Sequence, residues 1–206
     1  VDVGVVFSGC FLIPRLSVST IVLTCIFSVN VSAQLDTTKL RQMVPSTTEL
    51  YAQKQFWDFI DQRDQDSRRS PIIERMDEEN LIMVCYYFNA FGYPDFRRLG
   101  ERANIINMVW IHNRYVDVDR LTASIIMEGY AKGAISEEMY REYYLRSLYQ
   151  RTFDDERNLS EPIDTLYKLL GLTMSSHIPV DSVLACMERN RQIEADTANV
   201  IGTWYT

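Results

Sequence analysis

The sequence predicts an all-α protein: a compact bundle of about seven short helices after an N-terminal signal segment. Apolar residues recur at steps of three and four along most of the chain, the spacing of an amphipathic helix. Few stretches alternate apolar and polar residues with the period of two typical of strands. Residues that typically start and stop helices separate these periodic stretches. A chain of 206 residues, of which 47% are hydrophobic, is large enough to form one hydrophobic core.

Residues 1–33 are predicted to be a secretory signal peptide. Their only charged residues are Asp2 and Arg15, and an apolar run up to Val29 follows Arg15 before a small-x-small sequence at 31–33. The run is shorter than the roughly 20 residues that cross a membrane. We therefore expect export to the periplasm or the exterior of a bacterial cell and no stable membrane span after cleavage. An uncleaved N-terminal membrane anchor is the alternative.

The predicted cleavage divides the chain into the signal and a single helical domain at 34–206. Because the sequence starts without a methionine, residues 1–14 are interpreted as upstream sequence or as following a non-Met start, with no structural weight. Cleavage leaves Cys85 and Cys186, and export permits a disulfide between them. The apolar sequence around Cys85 instead favours a free, buried thiol.

The first two helices are predicted from their ends. Residues 46–49 have the Ser-x-x-Glu pattern of a capping box, which predicts a helix that continues to about Arg68. Asp77 is predicted to cap the next helix. That helix is expected to close at Gly92, since the following proline prevents its continuation.

The later helices are predicted from the same punctuation. They are expected at about residues 99–113, 117–132, 137–151, 162–171 and 181–199. Gly133 is predicted to stop the helix that precedes it, Ser136 to cap the helix that follows, and Asp181 to cap the last helix.

Composition and missing motifs exclude several functions. The 28 acidic residues outnumber the 21 basic ones, so a nucleic-acid partner is not expected. Neither a glycine-rich phosphate loop nor a Gly-x-Ser-x-Gly nucleophile motif occurs. The only histidines are His112 and His177, without a zinc-binding pattern, so we expect no metal and no cofactor.

Polar residues at facing helix ends form the candidate site. Asp64 and Arg68 are one helical turn apart, and Gln65 shares a face with Arg68. Asp77 and Asn80 lie at the predicted start of the next helix, across a short connection. The two groups can therefore converge on one another.

The third predicted helix brings His112 to this site, with Arg102 on the same helical stripe. A histidine beside carboxylates and an arginine can act as a general base near neutral pH. The catalytic hypothesis assigns this chemistry to His112, Asp64, Arg68 and Asp77, with Gln65, Asn80 and Arg102 binding a ligand. The structural alternative makes Asp64 and Arg68 a helical ion pair, Asp77 an N-cap and His112 a hydrogen-bonded core residue.

The order of these motifs resembles that of a known family. The chain contains in sequence Asp64-Gln65-x-x-Arg68, Asp77-x-x-Asn80, Gly92-x-Pro94, Gly100 and His112. This order resembles a family of small bacterial helical domains of unknown function, over about residues 50–150. The resemblance implies the fold but no reaction. The family pattern also has an Asp-Arg pair after Tyr-Leu and then Gly-Thr-Gln, whereas here Leu145 precedes Arg146 and no Gly-Thr-Gln occurs.

Tyrosine and phenylalanine are concentrated in two stretches, at 86–93 and 140–149. At helical spacing such residues are typical of half-buried packing, and the alternative is an aromatic groove for a ligand. We therefore predict an exported helical domain that binds an unknown ligand or protein partner. The alternative is a hydrolase-like enzyme in which His112 is the general base and Asp64, Arg68 and Asp77 surround it.

Overall fold

The computed structural model describes residues 35–68, 73–100, 105–141 and 175–204. The regular structure of these residues is entirely helical, which confirms the all-α prediction. The predicted signal segment 1–33 lies outside the described residues, as do the helix expected at 162–171 and most of the one expected at 137–151. No helix among the described residues has the length and apolar character needed to span a membrane.

The helices with defined bounds lie in the unit Asp36–Thr206 and are numbered here in chain order. They are α1 (Thr37–Met43), α2 (Leu50–Ser67), α3 (Ile73–Phe91), α4 (Phe96–Leu99), α5 (Ile105–His112), α6 (Val116–Ala131) and α7 (Val180–Trp204). Residues 137–141 are also helical. Helix α3 is central, since it contacts α1, α2, α5 and α7, and α2 also contacts α4 and α5.

Helix α3 is central because the second half of its sequence is apolar. Residues 81–85 are all buried, so this part of the helix has no polar face toward solvent. Tyr87 of α3 stacks on Phe56 of α2 with ring centroids 5.2 Å apart, and Trp57 meets the same tyrosine edge-on at 4.7 Å. Tyr87, from the aromatic stretch at 86–93, is thus part of the core packing between α2 and α3.

Glycines end the helices where the sequence predicted. Gly92 and Gly133 have φ angles of 71° and 69°, the left-handed conformation that glycine adopts at low energetic cost. Ser136 also caps as predicted, since its Oγ accepts a hydrogen bond of 3.2 Å from the backbone N–H of Met139. Cys85 is a free, buried thiol as predicted, and Cys186 is free and buried as well; burial raises the pKa of Cys85.

The predicted start of α2 was wrong. Ser46 does not cap a helix, because residues 46 and 47 form a bend and α2 begins only at Leu50. The hydroxyl of Thr47 accepts a hydrogen bond of 3.1 Å from the backbone N–H of Glu49, a local turn that competes with helix formation.

The predicted start of α3 was also wrong. Asp77 is not its N-cap, because the helix already begins at Ile73 and Glu74 is the acid in its first turn. The carboxylate of Asp77 is therefore available for contacts with α2. Asp181 likewise lies inside the first turn of α7, which begins at Val180.

The helix expected at 99–113 does not start at Leu99. Helix α4 ends at Leu99, Gly100 has a φ angle of 67°, and α5 is described from Ile105, after residues 101–104, which lie outside the described residues. A left-handed glycine cannot continue a right-handed helix, so the prediction of a helix that runs on from Leu99 was wrong. His112 is the last residue of α5.

Candidate functional site

The centre of the candidate site is a hydrogen bond between α2 and α5. Nδ1 of His112, at the end of α5, lies 2.7 Å from Oδ1 of Asp64, near the end of α2. The Asp64 side chain is only 2% exposed and the His112 side chain 18%. An ionised carboxylate only accepts hydrogen bonds, so Nδ1 carries the proton and donates it. In the neutral ring Nε2 then keeps its lone pair.

Arg68 links this pair to α3. Its guanidinium donates to the carboxylate of Asp77 and lies 3.6 Å from Oδ1 of Asp64. Nε of Arg68 also donates to the backbone carbonyl of Asp64 at 3.4 Å. One cation therefore lies between two carboxylates, and because it is one-third exposed it can also face solvent. The convergence of Asp64, Arg68, Asp77 and His112 is present in the structure.

Ser67 belongs to the site, although the sequence motifs did not predict it. Its buried hydroxyl donates to the backbone carbonyl of Asp64 at 2.7 Å and lies 3.3 Å from Oδ1 of Asp77. It holds the end of α2 against α3. The available signal was its position three residues after Asp64, which puts both side chains on one face of α2.

Burial sets the electrostatics of Asp77. Loss of solvent around this carboxyl group is the largest effect and raises its pKa. The charges of Arg68 and His112 lower the pKa, while the charge of Asp64 raises it. The net direction is upward, so Asp77 takes up a proton more readily than a free aspartate.

The predicted ligand-binding residues divide into three cases. Asn80 is buried one turn after Asp77, and its Oδ1 accepts a 2.9 Å hydrogen bond from Nε of Arg63. Within the described part of the chain its Nδ2 has no hydrogen-bond partner. Gln65 is exposed, whereas Asp64 and Ser67 are buried on another face of α2. Arg102 lies outside the described residues.

The cluster also has a donor set suited to a metal ion. One ligand atom each from Asp64, Asp77 and His112 lie within 4.8 Å of one another. Carboxylate oxygens and imidazole nitrogens bind divalent transition metals. In this structure the guanidinium of Arg68 already supplies positive charge to both carboxylates. A metal ion would therefore compete with Arg68 for the carboxylates.

Three comparisons with known proteins were made. Nothing matches this chain among protein-family models, curated proteins or solved structures. The resemblance to a family of bacterial helical domains therefore stays a prediction.

Proposed function

We propose that the protein is an exported hydrolase-like enzyme in which His112 is the general base. The observation that carries this proposal is the 2.7 Å contact between Nδ1 of His112 and Asp64. It supports a fixed tautomer in which Nε2 can accept a proton from water. A buried carboxylate that orients a partly exposed imidazole is the arrangement by which many hydrolases hold their base.

Arg68 and Ser67 have different roles in this proposal. The guanidinium of Arg68 has more donors than its contacts with Asp64 and Asp77 use, so it can bind an anionic or carbonyl oxygen of a substrate. Ser67 is fully buried and already donates to a backbone carbonyl, which disfavours it as the attacking nucleophile. Water activated at His112 is therefore the proposed nucleophile.

The first aromatic stretch, at 86–93, gives the predicted aromatic groove less support than the His112 cluster gives the catalytic proposal. Tyr87, Phe88 and Tyr93 are buried, and Tyr86 and Phe91 are only partly exposed. Most of the second aromatic stretch, at 140–149, lies outside the described residues, and Tyr140 is its only aromatic residue within them. A protein partner or ligand is the second candidate function, supported by a groove lined by residues that include Arg41, Tyr86 and Asp181 but not His112.

The test is hydrolysis of a panel of chromogenic nitrophenyl esters, phosphates and glycosides. We expect His112→Gln to lower kcat/KM by about 10²–10⁴-fold, the usual contribution of a general base. His177→Gln is the matched control, because His177 is exposed and not part of the cluster. The wild-type rate is expected to survive a metal chelator.

Two results would overturn the catalytic proposal. One is an equal rate for His112→Gln and the wild type. The other is the absence of turnover on the whole panel, which would favour the binding function. Loss of activity in the chelator would indicate that a metal ion held by Asp64, Asp77 and His112, and not the imidazole of His112, activates the water.

A further inference from the structure

A groove separate from the His112 cluster lies between α1, α3 and the start of α7. It has a volume of about 890 Å³ and shares no lining residue with the cluster. Arg41 and residues 44–46 line one side, Tyr86 and Asn89 of α3 lie in the middle, and residues 177–182 line the other side. Sites for small molecules commonly have about this volume.

The side of the groove formed by residues 177–182 is fixed to α3 by a reciprocal pair of hydrogen bonds. The side-chain amide of Asn89 donates to the backbone carbonyl of Ile178 at 2.9 Å, and the backbone N–H of Ile178 donates to Asn89 Oδ1 at 2.6 Å. The hydroxyl of Ser175 donates to the carbonyl of His177 at 2.8 Å. The groove is therefore a preformed feature, which lowers the cost of binding a ligand.

Opposite charges face this groove from its two walls. The guanidinium of Arg41 lies 5.9 Å from the centre of the Tyr86 ring. Asp181 is on the α7 side, and both charged groups act on the Tyr86 phenol, whose pKa is raised chiefly by burial. Arg41 and Asp181 are both exposed, and neither forms an ion pair with another residue of the described ranges.

We propose that this groove binds a free α-amino acid with an aromatic side chain. Arg41 binds the carboxylate through parallel hydrogen bonds, and Asp181 binds the ammonium group. The side chain of the ligand packs on the partly exposed ring of Tyr86. A single ligand that carries both charges satisfies Arg41 and Asp181 together, which a singly charged molecule cannot do. The proposal does not depend on the function proposed for His112.

The test is isothermal titration calorimetry of the full chain with three ligands that differ in which charged groups they carry. L-Phenylalanine carries both groups, phenethylamine lacks the carboxylate, and 3-phenylpropionate lacks the ammonium group. We expect L-phenylalanine to bind with a Kd below about 1 mM. Each singly charged ligand is expected to bind at least about tenfold more weakly, because one charged side chain stays without its partner.

Variants assign the binding to the groove. Arg41→Gln and Asp181→Asn should each weaken L-phenylalanine binding by about tenfold or more. Arg189→Gln, which removes an exposed cation of α7 that does not line the groove, should leave it unchanged. Because the altered side chains are exposed, unchanged thermal midpoints will show that both variants are folded.

Four results would overturn the proposal. Three of them are equal binding of the three ligands, unchanged affinity in Arg41→Gln or Asp181→Asn, and no heat of binding with L-phenylalanine at about 10 mM. Binding of a phenylalanine-containing dipeptide without binding of the free amino acid would also overturn it, since it would assign a peptide site.

Discussion

Replacing Trp57 with alanine is expected to lower the free energy of unfolding by about 3–5 kcal/mol. The Trp57 side chain has 0% exposure and lies between α2 and α3, where it meets Phe56 at 5.1 Å and Tyr87 at 4.7 Å. Alanine removes the whole indole and leaves a cavity that the surrounding helices can only partly fill. This is the largest stability effect that we predict.

The measurement is the thermal midpoint of each variant. For a chain of this size about 2–4 °C is lost per kcal/mol, so the midpoint should fall by roughly 6–20 °C. Tyr51→Ala on the same helix is the control, because Tyr51 is 72% exposed and its removal should change the midpoint little. Equal midpoints for the two variants would contradict the packing described between α2 and α3.

Replacing Asp64 with alanine is expected to lower the free energy of unfolding by about 2–3 kcal/mol. The change removes the acceptor of His112 and one of the two carboxylates beside Arg68. His112 then loses a charge-assisted hydrogen bond at a site with little access to water, and Arg68, which is one-third exposed, loses an ion pair. Asp64→Asn should cost less, because an amide oxygen can still accept the proton of His112 Nδ1.

The order of the two Asp64 variants is the informative result. Thermal midpoints should fall from wild type to Asp64→Asn to Asp64→Ala. Asp61→Ala, at an exposed position one turn earlier on α2, should stay within about 2 °C of the wild type. An Asp64→Ala midpoint at or above that of the wild type would show that the buried carboxylate is not held by its partners.

The local signals in the sequence predicted most of the helices. Gly92 and Gly133 end helices because glycine alone adopts their backbone conformation at low cost, and this requirement is visible in the sequence. The starts of α2 and α3 were less visible. Ser46 and Asp77 are good capping residues, but Thr47 forms a competing turn with Glu49, and Asp77 lies inside α3, where it contacts α2.

Part of the candidate site was predictable from local spacing in the sequence. Asp64 and Arg68 share a face of one helix, and only a short connection separates them from Asp77, so their convergence follows from sequence spacing. The contact with His112 depends on how α5 packs against α2, which spacing does not determine. The groove was beyond prediction, because Arg41 and Asp181 are far apart in the sequence and packing alone brings them to one groove.

The central claim is that Asp64 holds His112 in the tautomer that leaves Nε2 free to accept a proton. The most direct measurement is a long-range ¹H–¹⁵N spectrum of the labelled protein at alkaline pH, with His177→Gln used to assign the two imidazoles. We predict that neutral His112 carries its proton on Nδ1 and that Asp64→Ala shifts it toward the Nε2–H tautomer usual in water. A wild-type His112 already protonated on Nε2 would contradict the account.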